Sequence, residues 1–342
     1  MRRFIVLCLL LLLAGCGKPA LYQQESYVFG TRVTLSIWGM EESKAQQAAS
    51  EALSELDRLH AKLHAWRPSD VTRMNAAFAR GESAPVDDEL AGMLRQAAEY
   101  ARRSDQLFNP AVGKLIALWG FQRDTFEPVT PDPQAIAKAL AEKPSLEDLR
   151  FEPGHVSSRN RAVSVDLGGF AKGWALDRLA GMLHARGVKN ALINIGGNVL
   201  AMGSKDGEPW KVGLQHPRKP LAMATIELHD GEAIGTSGDY QRFFIKDGIR
   251  YAHLIDPRTG RPADQVQSAT VIVPSGPEAG TLSDAATKPI YIGGPGTALR
   301  YAKRFGIHDM LIVDAAGTVL ATPTMLSRVV WLEKPTKIVT IE

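Results

Sequence analysis

The chain has 342 residues, a formal net charge of +3 and 45% hydrophobic residues. That near-neutral balance gives no electrostatic footprint for nucleic acid. Its two cysteines, Cys8 and Cys16, lie at the extreme N-terminus, so the rest of the chain offers no thiol for disulfides, Cys–metal sites or nucleophilic catalysis.

Arg2 and Arg3 precede an apolar run at 4–13, which is short for a membrane span. It ends in Leu13-Ala14-Gly15-Cys16, a pattern similar to a bacterial lipobox. The expectation is a signal peptide over 1–15, lipid on Cys16, a tether over 16–24 and one domain over 25–342. A plain secretory signal with a coincidental cysteine is the alternative. Loss of Arg2 and Arg3 would leave a charge of +1 and about 325 residues, enough for one large domain or two lobes. No later run is apolar enough to span a membrane.

In chain order, 27–38 reads as a strand interrupted at Gly30-Thr31. Residues 43–64 carry the clearest helical spacing, with Ala45, Ala48, Ala49, Ala52, Leu56, Leu59 and Leu63 on one face and Ser43 with Gln46 as a capping box. His60 and His64 sit one turn apart on it and read as partly exposed, because no adjacent Glu completes a zincin motif. Residues 66–70 read as a loop, 87–103 as a second amphipathic helix and 134–142 as a short third. Strands are expected at 190–195, 210–215, 223–228 and 267–273, a turn at 235–240, and a hairpin of 241–245 with 249–255. Helices are expected from 278 and at 297–305, and a last hairpin joins 311–313 to 319–321. No internal repeat is evident. Antiparallel pairs with helices in blocks indicate an α+β fold.

The stretch that organises the rest is VSVDLGGFAKGWALD at 163–177. Residues 162–167 alternate like a strand, Gly168-Gly169 permits a sharp turn or close approach, and 170–186 has helical spacing with Gly187 as its stop. A strand, a glycine turn and a helix N-terminus together favour an anion, and Asp166 and Lys172 set charge beside it. The same unit also occurs in βα connections that bind nothing, and the dinucleotide GxGxxG pattern is not matched.

Six motifs follow one another: Phe29-Gly30-Thr31, FNPAVG at 108–113 with WGF at 119–121, DLGGFAKG at 166–173, NIGGN at 194–198, TSGDYQRFF at 236–244 and HLIDPRTGRP at 253–262. In this order they resemble the ApbE family of FAD:protein FMN transferases, over essentially the whole chain after the leader. The resemblance implies an ApbE-like α+β fold of largely antiparallel sheets and packed helices, with the active site in a cleft between lobes. It implies Mg²⁺-dependent transfer of FMN from FAD to a threonine hydroxyl of a partner protein, with AMP released. The family's acceptors are subunits of membrane-anchored redox complexes, such as sodium-pumping NADH:quinone oxidoreductase, Rnf-type complexes and nitrous-oxide-related flavoproteins. A periplasm-facing lipoprotein suits that partner.

By resemblance, FAD is contacted by Phe29, Trp66, Asn109, Pro110, Ala111, Asp166, Lys172 and Ile255. The metal is held by Asp284, the Gly169 carbonyl and the Thr287 hydroxyl. His253 and Asp256 form the catalytic pair, with a neutral His253 accepting the threonine proton and Asp256 orienting it or a water. Asp239 and Tyr240 either fix the turn after Gly238 or act in the site, and Arg258 either binds phosphate or supplies turn chemistry. One departure stands out. Many members carry Asp-Ala-x-x-Thr-Ala late in the chain, whereas here the run is Asp284-Ala285-Ala286-Thr287-Lys288-Pro289, with Lys288 in the threonine position. A charged Lys cannot ligate Mg²⁺, although it can touch phosphate. Two other readings share these residues: an Mg²⁺-dependent FAD pyrophosphatase, and a non-catalytic flavin-binding lipoprotein.

Overall fold

The computed structural model describes residues 21–123 and 125–342. The expected signal peptide and the lipidation site Cys16 lie outside the described residues. The tether expected over 16–24 is revised at its end, because a strand already spans Leu21–Val28. Every residue of that strand pairs with Thr31–Trp38, from Leu21 opposite Trp38 to Val28 opposite Thr31. It is the sheet's edge strand, with alternate residues exposed, and its polar composition therefore reads as linker.

A nine-stranded sheet forms the centre, and its strands lie side by side in chain order. Leu21–Val28, Thr31–Trp38, Asn190–Ile195, Asn198–Met202, Ala233–Gly238, Val266–Val273, Asp309–Asp314 and Val319–Ala321 run antiparallel, and Ile338–Thr340 closes the edge in parallel with Val319–Ala321. The fold is α+β, as the spacing predicts. Successive side chains on a strand serve opposite faces. Leu200, Ala269, Val271, Val273, Met310 and Ile312 join the core under the helices. Val199, Ala201, Ile234, Ile272, Leu311 and Val313 pack on the far face against Trp210, Val212, Leu214, Met223, Ile226 and Leu228. Most of that second layer belongs to a three-stranded sheet of Trp210–Gln215, Ala222–Leu228 and Val330–Trp331.

On the helical face lie Glu42–Leu63, Asp88–Arg103, Ala171–Ala185 and Ala279–Gly293, all close to their expected bounds. The first begins differently from expectation: Glu41 is the N-cap, its carboxylate accepting from Ser43 N–H at 2.9 Å, so Ser43 and Gln46 do not form the cap. Asp70–Arg80 is a further helix where a loop was expected to end, opened by a Ser69–Thr72 capping box. Ala233–Gly238 overturns the expected turn at 235–240. Its glycines and hydroxyls serve close packing within the sheet: a Cβ on Gly235 would lie 2.1 Å from the Ser283 carbonyl oxygen, so only glycine lets the Ala279–Gly293 helix settle there. A smaller aromatic cluster stacks Trp119 on Tyr251, Tyr251 on Phe244 and Phe244 on Phe121, under the hairpin of Phe243–Lys246 with Ile249–Ala252.

Candidate active site

Two helices cross at Gly173 and Gly280. A Cβ on Gly173 would fall 2.3 Å from the Gly280 carbonyl oxygen, and one on Gly280 would fall 2.7 Å from that of Gly173. The crossing brings a carboxylate from each helix to the first turn of the other. Asp284 accepts from Gly173 N–H at 3.0 Å. Asp177 accepts from the N–H groups of Gly280 and Thr281, both at 2.7 Å, and from the Thr281 hydroxyl at 2.5 Å. Helix N-termini favour such negative charge. Burial nevertheless pushes the Asp177 carboxyl up to about 6.

Asp284 is fully buried and is the centre of the charge cluster. Lys288, one turn later and 8% exposed, donates to an Asp284 carboxylate oxygen and, at 2.8 Å, to its main-chain carbonyl. Lys172 Nζ stands 3.6 Å from the other carboxylate oxygen and donates to the Gly168 carbonyl at 3.2 Å. Burial raises the Asp284 carboxyl, but Lys172 and Lys288 outweigh it and hold it below the usual carboxylate range. Burial lowers the Lys288 ammonium to about 8. The Thr287 hydroxyl donates to the Asp284 carbonyl at 2.7 Å and lies 2.7 Å from the Ser237 hydroxyl.

The segment before Gly168 differs from expectation. Ala162 lies in a turn, and residues 163–167 belong to no strand apart from one parallel bridge between Val112 and Ser164. Local partners replace a ladder. Asn75 brackets Val165, accepting from its N–H at 2.7 Å and donating to its carbonyl at 2.9 Å. Ser164 and Asp166 N–H donate to the carbonyls of Ala111 and Pro110 at 3.1 and 2.8 Å. The Asn109–Ala111 segment is thereby set beside Asp166, while the Asn109 side chain fixes its own turn through Ala111 N–H and the Pro144 carbonyl. Asp166 is held by Gln122 Nε2 at 2.9 Å and by Gly168 N–H at 2.9 Å.

His253 is the neutral group of the site. Burial first, then the charges of Arg242 and Lys172, push its pKa well below the ordinary 6.5. Its Nδ1 lies 3.2 Å from the Arg242 carbonyl. With the proton on Nδ1, that carbonyl fixes the ring and leaves Nε2 as an acceptor. Arg242 also donates to the Phe121 carbonyl at 2.8 Å and lies over the rings of Trp66 and Phe126. Trp66 begins a ring ladder through His64 and His60 to Phe29, with centroid spacings of 4.4, 5.1 and 5.4 Å. His60 is half-buried, as the partly exposed reading expects, whereas His64 is buried and accepts from the N–H groups of Trp66 and Arg67. Trp66 Nε1 and Asn198 Nδ2 are buried polar atoms with no hydrogen-bond partner among the described residues.

The structure therefore brings His253, Lys172, Asp284, Thr287 and Gly169 into one electrostatic neighbourhood, with Asp166, Asn109–Ala111, Trp66 and Phe29 on its borders. Asp256 makes no hydrogen bond to His253 among the described residues. Its carboxylate is engaged by the Arg258 guanidinium and by Arg258 N–H at 2.8 Å, and the Arg242 carbonyl holds His253 in its stead. Arg258 accordingly supplies turn chemistry. Ile255 is buried in the aromatic cluster of Phe121 and Phe244. Asp239 pairs with Arg218 through two bonds of 2.6 and 2.7 Å, the structural alternative for that turn. Sequence reasoning missed Asn75 and Gln122, whose partners lie 90 and 44 residues along the chain, and gave no role to Ser237 and Arg242 within the TSGDYQRFF run.

These residues fit FAD at two points: unpartnered buried donors on Trp66 and Asn198 suit a polar cofactor, and Lys172 and Lys288 suit its pyrophosphate. They do not fit a divalent cation on Gly169, Asp284 and Thr287. The carboxylate is already shared between an ammonium and a backbone N–H, with a second ammonium 3.6 Å away. Among the described residues, no group of three or more His, Cys, Asp and Glu side chains could hold a metal ion.

Comparison with known proteins shows the family. The FAD:protein FMN transferase of Rhodobacter capsulatus is 38% identical over 302 residues, covering 88% of this chain; the chain spans 57% of that protein's length. The FAD:protein FMN transferase of Vibrio cholerae is 32% identical over 281 residues, covering 80% of this chain and 83% of its own. The crystal structure of the ApbE protein from Thermotoga maritima superposes with a TM-score of 0.80 at 30% identity, covering 90% of this chain and 99% of that one. The sequence profile of the ApbE family matches residues 29–311, which include every residue of the charge cluster and His253. On these grounds the chain belongs to the ApbE family.

Proposed function

We propose that this chain transfers FMN from FAD to a threonine hydroxyl of an acceptor protein and releases AMP. The observation that carries the reading is the cluster of buried Asp284 and Lys288 with half-buried Lys172 at a helix N-terminus, beside a neutral His253. Phosphoryl chemistry needs charge neutralisation and positioning more than covalent help. Lys172 and the N-terminal turn of Ala171–Ala185 neutralise the pyrophosphate of FAD. The acceptor oxygen attacks the FMN-side phosphorus, and the bridging P–O bond breaks with its electron pair leaving on AMP. His253 Nε2 takes the hydroxyl proton. The product is a phosphodiester between FMN and threonine. The ring wall of Trp66 and Phe29 holds apolar surface of the flavin or adenine. No step is routed through a metal ion.

Lipid attachment at Cys16, anchoring on the periplasmic face and a membrane redox subunit as acceptor belong to the same proposal. The test incubates the protein with FAD and an acceptor domain carrying a flavinylated-type threonine. In-gel flavin fluorescence on the acceptor together with equimolar AMP is the expected result. AMP without a fluorescent acceptor would replace the reading with FAD hydrolysis, and intact FAD beside a competent control enzyme would replace it with binding alone.

A further inference from the structure

We infer that the Lys288 ammonium is the resident cation of this site, standing on Asp284 where a divalent metal would stand, so that FAD binding requires no divalent metal. The inference rests on the flavin-transfer reading for the identity of its ligand, a dinucleotide pyrophosphate. Three observations support it.

The first is placement. Asp284 and Lys288 are one helical turn apart, and the ammonium is held by both a carboxylate oxygen and the main-chain carbonyl of Asp284. An ammonium with three donors and no acceptor can bind such oxygens and still offer a donor to phosphate. The second is packing. A Cβ on Gly169 would lie 3.2 Å from Lys288 Cε, so the glycine turn closes directly on the lysine stem. The loop carbonyl that a metal would use sits in a wall shaped around Lys288. The third is charge. Lys172 and Lys288 already outnumber the single carboxylate of Asp284. Adding two more positive charges to a buried site of low dielectric, with no further carboxylate on the cluster, would be strongly repulsive. Thr287 offers no compensation, because its hydroxyl donates to the Asp284 carbonyl and pairs with Ser237. With Asp284 counted, the cluster carries a net charge of +1, opposite in sign to a pyrophosphate.

The test measures FAD affinity of the full-length protein in detergent by flavin fluorescence, in Mg²⁺ and in EDTA, and metal binding by Mn²⁺ electron paramagnetic resonance. The wild type is expected to hold its FAD dissociation constant within about threefold across the two conditions, a free-energy difference below that of a tenfold change, and to show no stoichiometric Mn²⁺. Lys288→Thr is expected to gain one Mn²⁺ site and to lose FAD affinity tenfold or more in EDTA, by about that same measure. A wild type that binds one Mn²⁺ and loses FAD in EDTA would overturn the inference. If Lys288→Thr does not fold, the two wild-type measurements decide. Metal-independent FAD binding without any transfer to an acceptor would leave Lys288 as the resident cation and remove the transferase reading.

Discussion

Asp177 and Asp284 cap each other's helices in opposite directions across a glycine–glycine crossing. The relationship ties the fold to the chemistry. Asp284 holds Lys288 within its own helix, but it reaches Lys172 and Gly173 N–H only while the helix Ala171–Ala185 lies close, and that approach needs bare backbone at Gly173 and Gly280.

A methyl group at the crossing should separate the two helices. Gly173→Ala would place its Cβ 2.3 Å from a main-chain oxygen, which cannot rotate away. Overpacking of this kind costs about 1–3 kcal/mol. The expected outcome is a lowered denaturation midpoint together with weaker FAD binding, whereas a change of similar size at exposed Gly92, which has open space around it, should leave FAD binding intact.

Asp177→Ala leaves the N–H groups of Gly280 and Thr281 without their acceptor, a loss of about 1–3 kcal/mol for buried donors. The pH dependence carries the second signature. Burial raises the folded carboxyl to about 6, above its ordinary 3.8. Between those values the folded state binds more protons than the unfolded chain, so the contribution of Asp177 to stability grows as pH falls from about 6 toward 4. Denaturant titrations of wild type and variant across that window should converge toward neutral pH and diverge toward acid. Parallel curves would show that the carboxyl titrates normally.

Removing the central carboxylate should be costlier than removing a cap. Asp284→Ala leaves the Lys172 and Lys288 ammonium groups facing each other, and breaking a buried pair by deleting one partner costs about 3–5 kcal/mol. The double variant Asp284→Ala/Lys288→Met removes one of the stranded charges. It is expected to recover part of the stability, read as a double-mutant cycle, but not FAD binding.

Much of the fold was legible because its helices carry clean apolar stripes and its strands are bounded by glycine and proline. The illegible parts share a cause: local spacing cannot report a distant partner. Ala233–Gly238 reads as a turn because Gly-Thr-Ser-Gly is turn chemistry in isolation, while its actual constraint is the Ser283 carbonyl 2.1 Å from a Cβ on Gly235. Residues 162–167 alternate like a strand, yet Asn75, ninety residues earlier, supplies the pairing a neighbour would have given. In the site, the residue types of the DLGG and HLIDPRTG runs pointed to its location. The partner of His253 did not follow from them, since Asp256 is nearby in sequence but is held by Arg258, and a backbone carbonyl holds the imidazole.

The Asn75 bracket makes a separate prediction. Asn75→Ala removes both bonds to Val165 and leaves its buried N–H and C=O unpaired, a loss of about 1–3 kcal/mol for each buried group left without a partner. Because Val165 precedes Asp166, the variant should also loosen the Asp166–Gln122 pair and weaken FAD binding. Asn75→Asp keeps the acceptor for Val165 N–H but sets a second carboxylate oxygen against the Val165 carbonyl, so it should not restore the wild-type stability. A variant that unfolds more easily but binds FAD as the wild type does would separate Asn75 from the site.

The last prediction concerns the proton. His253 must be neutral to accept one, and the neutral fraction dominates above its pKa. Burial and the charges of Arg242 and Lys172 set that pKa well below 6.5, so kcat/KM for flavin transfer should show no acid limb near 6.5 and stay flat as pH falls from about 7 to about 6, a window below the Lys288 pKa of about 8. His253→Ala should lower the rate by about 10²–10⁴, the usual share of a positioned general base, with FAD affinity unchanged. Arg242→Met removes one of the charges that depress the imidazole while keeping an apolar stem against Trp66, and an acid limb should then move upward toward 6.5. If that variant leaves the pH profile unshifted, the Arg242 charge does not set the imidazole pKa, and its depression belongs to burial and Lys172.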